Sequence, residues 1–288
     1  MYAGKSIAVV IPAYNEAAFI RDVVETIPEY VDTTFVVDDH STDGTWREIQ
    51  SCMGSASMES PVASDRSDRL LTTDGAGTNR VYRQSTTDRE LIAVRHAENR
   101  GRGAAVKTGY RLALDAGHDV VAVMDGDGQM NPDDLERLVD PIVDGDADYA
   151  KGNRLADRRS CGDMSNWRLF GNVLLTLLTK VASGLWHVRD PQNGYTAVSA
   201  DALSALSIDD LYDDYGFLND VLIRASYHDL RVVDVPIGAL YADEESGIQY
   251  RTFVPNLSLL LLRGFAWRVL SKYADVDLGS GWMDGDAR

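Results

Sequence analysis

Short apolar runs rich in β-branched residues alternate along the chain with segments of helical periodicity. The runs predict strands at Ile7–Ile11, Phe35–Val37, Leu91–Arg95, Val120–Met124, Ala147–Lys151, Tyr195–Val198 and Arg231–Val235. The intervening patterns predict helices near Glu16–Ile27, Gly103–Ala116, Leu169–Ala182, Phe217–Tyr227 and Asn256–Tyr273. Such alternation is typical of an α/β fold, in which helices flank a mostly parallel sheet.

Three segments depart from this rhythm and define the domain organisation. Residues 51–87 are rich in Ser, Thr, Asp, Gly and Arg, so we interpret them as a polar surface insertion in a single domain spanning 1–250. Residues 253–273 form a separate apolar and amphipathic C-terminal helix, and 275–288 a flexible Gly/Asp-rich tail. In Phe253–Leu270, Trp and interspersed cations suit a helix at a membrane surface and equally one packed on the domain or on a second subunit.

The chain is strongly acidic, with 45 Asp plus Glu against 28 Lys plus Arg and a formal net charge of −17. Such a surface repels polyanions, so we predict no nucleic-acid partner. An Asp-rich, Lys-poor chain is favoured in high salt, where ions screen its self-repulsion, and this predicts a halophilic source. The chain has two cysteines, Cys52 and Cys161, no signal-peptide pattern and no apolar run of 18 residues. We therefore expect a cytoplasmic protein, which would be peripheral on the inner face of the membrane if the C-terminal helix binds there.

Acids follow two of the predicted strands, at Asp38-Asp39 and at Asp125-Gly126-Asp127. Ligands of open α/β sheets bind at the carboxyl ends of the strands, where these acids should lie. Two carboxylates two residues apart can share one hard cation such as Mg²⁺, and a cation held by few protein oxygens completes its shell with water and substrate phosphates. The pattern therefore indicates a diphosphate ligand, although scattered solvated acids are the alternative in so acidic a chain.

A second phosphate motif competes with this interpretation. The segment Gly101–Thr108 resembles a P-loop, which would make the protein a nucleotide hydrolase. However, Val106 stands where that motif needs a glycine immediately before its lysine, Lys107. The hydrolase is therefore kept as an alternative hypothesis.

Four segments occur together in a recognisable order: Ile11–Glu16, Val37–Thr45, Asn99–Gly109 and Asp125–Gln129. They resemble the inverting nucleotide-sugar glycosyltransferases of family 2, which have the GT-A fold, a Rossmann-like nucleotide-binding sheet. The likeness is greatest to the branch of dolichyl-phosphate mannose and glucose synthases. It implies metal-dependent transfer of a sugar from a UDP- or GDP-linked donor to a polyprenyl phosphate or a glycan hydroxyl. A non-catalytic nucleotide-sugar binding module is a further alternative.

The resemblance also implies roles for individual residues. Pro12, Tyr14 and Glu16 would border the nucleotide, and Val37 and Asp39 would contact its base and ribose. The metal, Mg²⁺ or Mn²⁺, would be held by Asp125, Asp127 and Gln129, with Asp127 also catalytic and Gly126 beside the donor. Arg154 would lie near the phosphates. A local excess of bases supports this, because Arg binds phosphate through its planar fork: Lys151, Arg154, Arg158, Arg159 and Arg168.

The acceptor side is less determined by the pattern. Asp190 and Gln192 match an acceptor-side loop of the family, and we assign Arg158 and Arg168 to the same side. Asn219-Asp220 stands where many members carry two acids, which leaves Asp220 as the candidate general base for a hydroxyl acceptor. A phosphate acceptor is already ionised and needs no base, so Asp220 would then position it. Glu244 and Glu245 occupy a segment that is basic in the lipid-phosphate synthases.

Overall fold

The computed structural model describes residues 1–53, 80–85, 89–156, 166–214, 216–238 and 250–273. Its centre is an eight-stranded sheet in the order β3-β4-β2-β1-β5-β7-β6-β8. Strands β3 and β7 run antiparallel to their neighbours, and the other six are mutually parallel. The strands are Ile7–Ala13, Thr33–Asp38, Arg80–Ser85, Glu90–Arg95, Val120–Val123, Tyr149–Asn153, Thr196–Ser199 and Val232–Pro236, numbered β1 to β8.

Helices cover both faces of the sheet and are numbered α1 to α8 in chain order. They span Ile20–Glu25, Thr45–Cys52, Arg102–Asp115, Leu135–Val143, Asn166–Ser183, Ala200–Leu206, Phe217–Tyr227 and Tyr250–Tyr273. Successive side chains of a strand point to opposite faces, so the buried strands supply two cores. One core joins the sheet to α3, α6 and α7, and the other joins it to α1, α2 and α4. This confirms the α/β class with a mostly parallel sheet and flanking helices.

The predicted insertion contains one strand, β3, which the polar composition of the segment did not indicate. Residues 80–85 form β3, an edge strand antiparallel to β4, so this part of the 51–87 segment belongs to the sheet. Val81 is buried and Tyr82 packs on Trp46, whereas the other four residues of β3 are polar. Because successive side chains point to opposite faces, this edge strand places one apolar side chain on each face, too few to stand out in the composition. Residues 54–79 and 274–288, most of the insertion and the predicted tail, lie outside the described residues.

The two terminal helices differ from their predicted bounds. Helix α1 begins at Ile20 instead of Glu16, because residues 15–17 are held by the loop after β2. Helix α8 begins at Tyr250, six residues before the predicted start, and packs on α5 and α7. Within the described part of the chain, no helix is both long and apolar enough to span a bilayer.

Helix α3 lies close against β1 because a glycine faces the strand. A Cβ added to Gly109 would lie 2.3 Å from Val10 Cγ1, and Val10 is a stiff, fully buried side chain. We expect Gly109→Ala to lower the free energy of unfolding by about 1–2 kcal/mol, since overpacking outweighs the helix propensity gained. Chemical denaturation measures this change. Gly44→Ala is the control, because its Cβ would meet Ala17 Cβ at an ordinary 3.6 Å; equal losses in the two variants would refute the packing argument.

Candidate active site

The carboxyl ends of the parallel strands β1, β2, β4, β5 and β6 meet at one edge of the sheet. Tyr14, Asp39, Asp125 and Arg154 follow the ends of β1, β2, β5 and β6, as the strand-end argument anticipated. The loop before β7 reaches the same edge, because β7 runs in the opposite direction. The edge therefore combines donor-side and acceptor-side candidates in one place.

The loops after β1 and β2 hold each other through side-chain oxygens. Asn15, with a positive φ of 60°, donates its backbone N–H to Ser41 Oγ, and its Oδ1 accepts from the backbone of Thr42. The backbone N–H of Glu16 donates to Thr45 Oγ1 at 2.7 Å. Tyr14 is left half-exposed at the end of β1, with Pro12 buried inside the strand. The arrangement makes Tyr14 and Glu16 part of the rim of the site.

Asp39 is a buried carboxylate that holds the next loop. It accepts backbone N–H groups of Arg100 and Gly101, and its Oδ1 lies 2.7 Å from His96 Nδ1. His96 Nε2 lies 3.0 Å from Thr108 Oγ1, so a polar chain runs from Asp39 into α3. The side chain of Val37 is fully buried in the core, and the predicted contact of this residue with the base stays a prediction.

The Asp-x-Asp segment follows β5 and is bound by α3. Arg102, the first residue of α3, donates from Nε and Nη2 to Asp125 Oδ1 at 2.9 and 2.6 Å. Asp127 Oδ1 accepts the backbone N–H of Gln129. Between the two acids, Gly126 packs against β1 and α1, where an added Cβ would lie 3.1 Å from Ile20. The turn thereby brings Asp125, Asp127 and Gln129 into one short loop.

The donor set of this loop fits a hard divalent cation bound together with a phosphate ligand. Carboxylate oxygens are its preferred ligands, and Asp125 keeps 23% of its side chain exposed. In the part of the chain that the structure describes, no three His, Cys, Asp or Glu residues are grouped to hold a metal. Two carboxylates would therefore make only a partial site, which a donor diphosphate would complete.

The lysine of the P-loop-like segment is engaged elsewhere. Lys107 is buried, its Nζ donates to the carbonyl of Asp209 and pairs with Asp213 at 2.8 Å. The loop it binds also contacts the start of α3, where the backbone N–H of Ala104 donates to the carbonyl of Asp213. Lys107 thus fixes a protein loop, and its position does not support the hydrolase alternative.

The acceptor-side loop, residues 190–195, is held at three points. Asp190 is buried and accepts from Arg154 Nε at 2.9 Å, which joins two predicted residues in one ion pair. Gln192 Nε2 donates to Asn219 Oδ1 at 2.8 Å. Gly194 lies directly on the Arg102–Asp125 pair, where an added Cβ would be 2.5 Å from Asp125 Oδ2. Donor-side and acceptor-side residues are therefore in contact through this loop.

Lys151 supports that loop from below the site. Its side chain has no exposed surface, and Nζ donates to the carbonyl of Asn193 at 2.6 Å. Burial lowers the pKa of Lys151 to about 7; the guanidinium groups of Arg102 and Arg154 add to the shift, and Asp190 and Asp234 oppose it. A lysine in this position is close to losing its charge near neutral pH.

Asp220 lies inside α7 and is enclosed. Its Oδ1 accepts from Arg224 Nε at 3.0 Å, and its Oδ2 accepts from the backbone N–H of Tyr212. Both side chains of the ion pair are only 2% exposed. In this position Asp220 fixes the loop that packs on the start of α3. A general base must be accessible to the substrate, and the carboxylate of Asp220 is not.

Sequence reasoning passed over Arg102, His96 and Arg224. The i,i+4 spacing of Asp220 and Arg224 on a predicted helix was a usable signal for their pairing. No local pattern joins Arg102 to Asp125 or His96 to Asp39, because these contacts depend on the sheet order. Arg158 and Arg159 lie outside the described residues, and of Arg168 only the backbone, in α5, is described.

The sequence profile of "Glycosyl transferase family 2" matches residues 8–62 and 74–206, which include the strand-end acids and the acceptor-side loop. The chain belongs to this family. It is a glycosyltransferase, and its architecture is that of the GT-A fold.

Relatives of this family 2 chain cover most of its length. A UDP-N-acetylglucosamine–dolichyl-phosphate N-acetylglucosaminyltransferase of Methanococcus voltae is 29% identical over 84% of this chain and 88% of that protein. An undecaprenyl-phosphate mannosyltransferase of Micrococcus luteus is 29% identical over 79% and 81%. The glucosyl-3-phosphoglycerate synthase of Mycobacterium tuberculosis shares the fold, with a TM-score of 0.60 and 21% identity over 92% of this chain and 81% of that one. That enzyme has been solved with Mn²⁺ and UDP.

Removal of one carboxylate tests the metal assignment. We expect Mn²⁺ together with UDP or GDP to raise the thermal midpoint of the wild-type protein, because both bind only the folded state. Asp127→Ala should remove the metal-dependent part of this shift and abolish transfer. The exposed Asp133 provides the control, since Asp133→Ala removes a nearby acid outside the loop. An unchanged metal-dependent shift in Asp127→Ala would refute the assignment.

The depressed pKa of Lys151 predicts a pH dependence of stability. Between its folded value of about 7 and its ordinary value of 10.5, the unfolded chain binds one more proton at this site. The contribution of Lys151 to the free energy of unfolding therefore rises with pH between these two values, by at most about 1.4 kcal/mol per pH unit. Urea unfolding of the wild type and of Lys151→Met should show a difference that changes from pH 7 to 10.5. A difference that does not vary with pH would contradict the shift.

Proposed function

We propose that the protein transfers a sugar, with inversion, from a nucleoside-diphosphate sugar to a polyprenyl phosphate, with Mg²⁺ or Mn²⁺ as cofactor. The donor half of the proposal is supported by the Asp125–Gln129 loop and by the rim residues Tyr14 and Glu16 at the same edge of the sheet. The relatives from Methanococcus voltae and Micrococcus luteus are named for polyprenyl-phosphate acceptors. The donor nucleotide is UDP or GDP.

The enclosure of Asp220 is the observation that favours a phosphate acceptor. A hydroxyl acceptor needs a general base within hydrogen-bond reach of its proton. Asp220, the candidate base, already accepts hydrogen bonds at both oxygens and is 2% exposed. A phosphomonoester carries an ionised oxygen at neutral pH and can attack the anomeric carbon without a base. A phosphate acceptor is therefore consistent with the burial of Asp220 in its ion pair with Arg224.

The residues of the site have distinct tasks in this reaction. A cation held by Asp125 and Asp127 would supply neutralisation of the charge that develops on the diphosphate leaving group. Arg154 lies half-exposed beside Asp190, at the junction of the two substrate sides, and is the guanidinium placed to contact phosphate oxygens. Asp190 orients Arg154, and Gly194 keeps the acceptor-side loop against Asp125. The acceptor oxygen attacks in line with the departing diphosphate, which inverts the anomeric carbon.

The acceptor is a lipid, so the enzyme is proposed to work as a peripheral protein on the inner face of the cell membrane. Its described helices include no bilayer-spanning segment, and the C-terminal helix α8 carries exposed leucines. The segment containing Glu244 and Glu245, basic in the lipid-phosphate synthases, lies outside the described residues.

Substitution of Asp220 distinguishes the two acceptor classes. We expect Asp220→Asn to lower the free energy of unfolding by about 3–5 kcal/mol, because it leaves the Arg224 charge buried without its partner. Transfer to a polyprenyl phosphate, measured per folded molecule with UDP- or GDP-hexose, should stay within about tenfold of the wild type. A general base would cost roughly a hundredfold to ten-thousandfold.

Arg224→Met is the matched variant, because it breaks the same ion pair and leaves the carboxylate in place. Similar rates for the two variants indicate that Asp220 acts through the ion pair. Near-complete loss in Asp220→Asn alone, together with transfer to a glycan hydroxyl, would overturn the phosphate acceptor. Donor binding without turnover for any acceptor would identify a binding module instead.

A further inference from the structure

Helices α5 and α8 share a charge pattern that sets them apart from the rest of the chain. Asp and Glu make up 45 of the 288 residues, yet neither the 18 residues of α5 nor the 24 of α8 include one. The two helices instead carry bases: Arg168, Lys180, Arg251, Arg263, Arg268 and Lys272. Arg268 is buried and Lys272 pairs with Asp229, so Lys180 and Arg263 are the remaining bases with described side chains, and both are partly exposed. In a protein of net charge −17, this acid-free pair of helices differs from the acidic remainder of the chain.

Each of the two helices also exposes an apolar stripe. On α5 the exposed residues follow helical spacing at i, i+3, i+4 and i+7, namely Leu174, Leu177, Leu178 and Val181. On α8 the exposed apolar side chains are Leu259, Leu262, Phe265 and Leu270, with Leu262 the most exposed at 65%. Single exposed leucines are ordinary, but an exposed apolar stripe on each of two helices that pack together indicates an interaction surface.

The two helices form one structural unit. Arg268 of α8 is buried and donates to the carbonyls of Ala182 and Val181, at the C-terminal end of α5. Leu257, Leu260 and Leu261 of α8 pack with Ala182 in a separate apolar cluster. Because the packing residues lie between the helices, the exposed stripes are left on the outside of a fixed pair.

We infer that the apolar stripes and flanking bases of α5 and α8 form a docking surface for a membrane rich in anionic lipids. Apolar side chains beside Lys and Arg match the acyl and headgroup layers of such a membrane. Charge complementarity selects the occupant, because Lys180 and Arg263 favour binding to an anionic leaflet and neither helix contains an acid. The exposed Asp229 neutralises Lys272 and does not face these two bases with a free charge. A second copy would instead bring two surfaces of like charge together.

The position of α5 relates this surface to the acceptor-side loop. Thr179, on the buried side of α5, donates to Asn219 Oδ1 at 2.9 Å, the oxygen that also accepts from Gln192. The exposed stripe is therefore about one helix diameter, roughly 10–12 Å, from Gln192. This relation rests on the proposed function: docking would bring a lipid-borne phosphate to the loop that receives it.

Vesicle flotation tests the surface independently of transfer. In the lowest salt that keeps the protein folded, we expect binding to phosphatidylcholine vesicles containing 30% phosphatidylglycerol, and weak binding to phosphatidylcholine alone. The double variant Leu177→Asn/Leu262→Asn should lose the binding. Lys180→Glu should weaken it by about fivefold or more, whereas Arg47→Glu on α2, a matched exposed cation elsewhere, should not.

Three outcomes would overturn the inference. These are equal binding to both vesicle types, wild-type binding in the double variant, and a dimer in light scattering that the double substitution dissociates without any vesicle binding. Thermal midpoints verify that the variants fold. Transfer to a short, water-soluble polyprenyl phosphate should be retained in the double variant. If the wild-type protein fails in this transfer assay, the result counts against the proposed function and does not affect the vesicle-binding result.

Discussion

Pairing of the strand-end carboxylates with donors from neighbouring loops is the constraint on which the site depends. Parallel strands deliver Asp39, Asp125 and other acids to one edge of the sheet, and a buried charge is costly unless it is hydrogen-bonded. Asp39 is satisfied by the loop before α3, Asp125 by Arg102, and Asp190 by Arg154. Each pair joins residues far apart in the chain, so satisfying the charges also determines where the loops lie.

The same pairs decide which groups remain for chemistry. Lys107 and Asp220 have residue types suited to catalysis, yet both are used to fix the loop at residues 209–214. Arg102 takes one oxygen of Asp125 and leaves the carboxylate partly exposed. Among the described residues, the groups that keep exposed surface at this edge include Tyr14, Asp125, Asp127 and Arg154. Burial and pairing thus separate residues that fix the protein structure from residues that remain accessible to a substrate.

Sequence pattern predicted the sheet, the helices on both faces and the strand ends that carry the candidate site. These follow from local periodicity, and β1 and α7 show it most clearly. It missed β3, whose single buried apolar side chain, Val81, leaves no run to detect. The side chain of Val37, a residue predicted to contact the nucleotide, lies in the core, as strand alternation requires. Partners such as Arg102 and Asp125 required the order of the strands, which no local pattern encodes.

The charge distribution explains how so acidic a protein can act on anionic substrates. Salt screens the distant acids over a Debye length of about 10 Å or less, so a ligand at the edge responds mainly to groups in contact with it. At that range the relevant charges are Arg154, Arg102 and the cation proposed for Asp125 and Asp127, and not the net charge of −17. The same local effect applies to the surface formed by α5 and α8, because neither helix contains an acid. Binding of anions is thus set locally, by the bases and the proposed cation at the strand ends and by the acid-free helices, and not by the net charge of the chain.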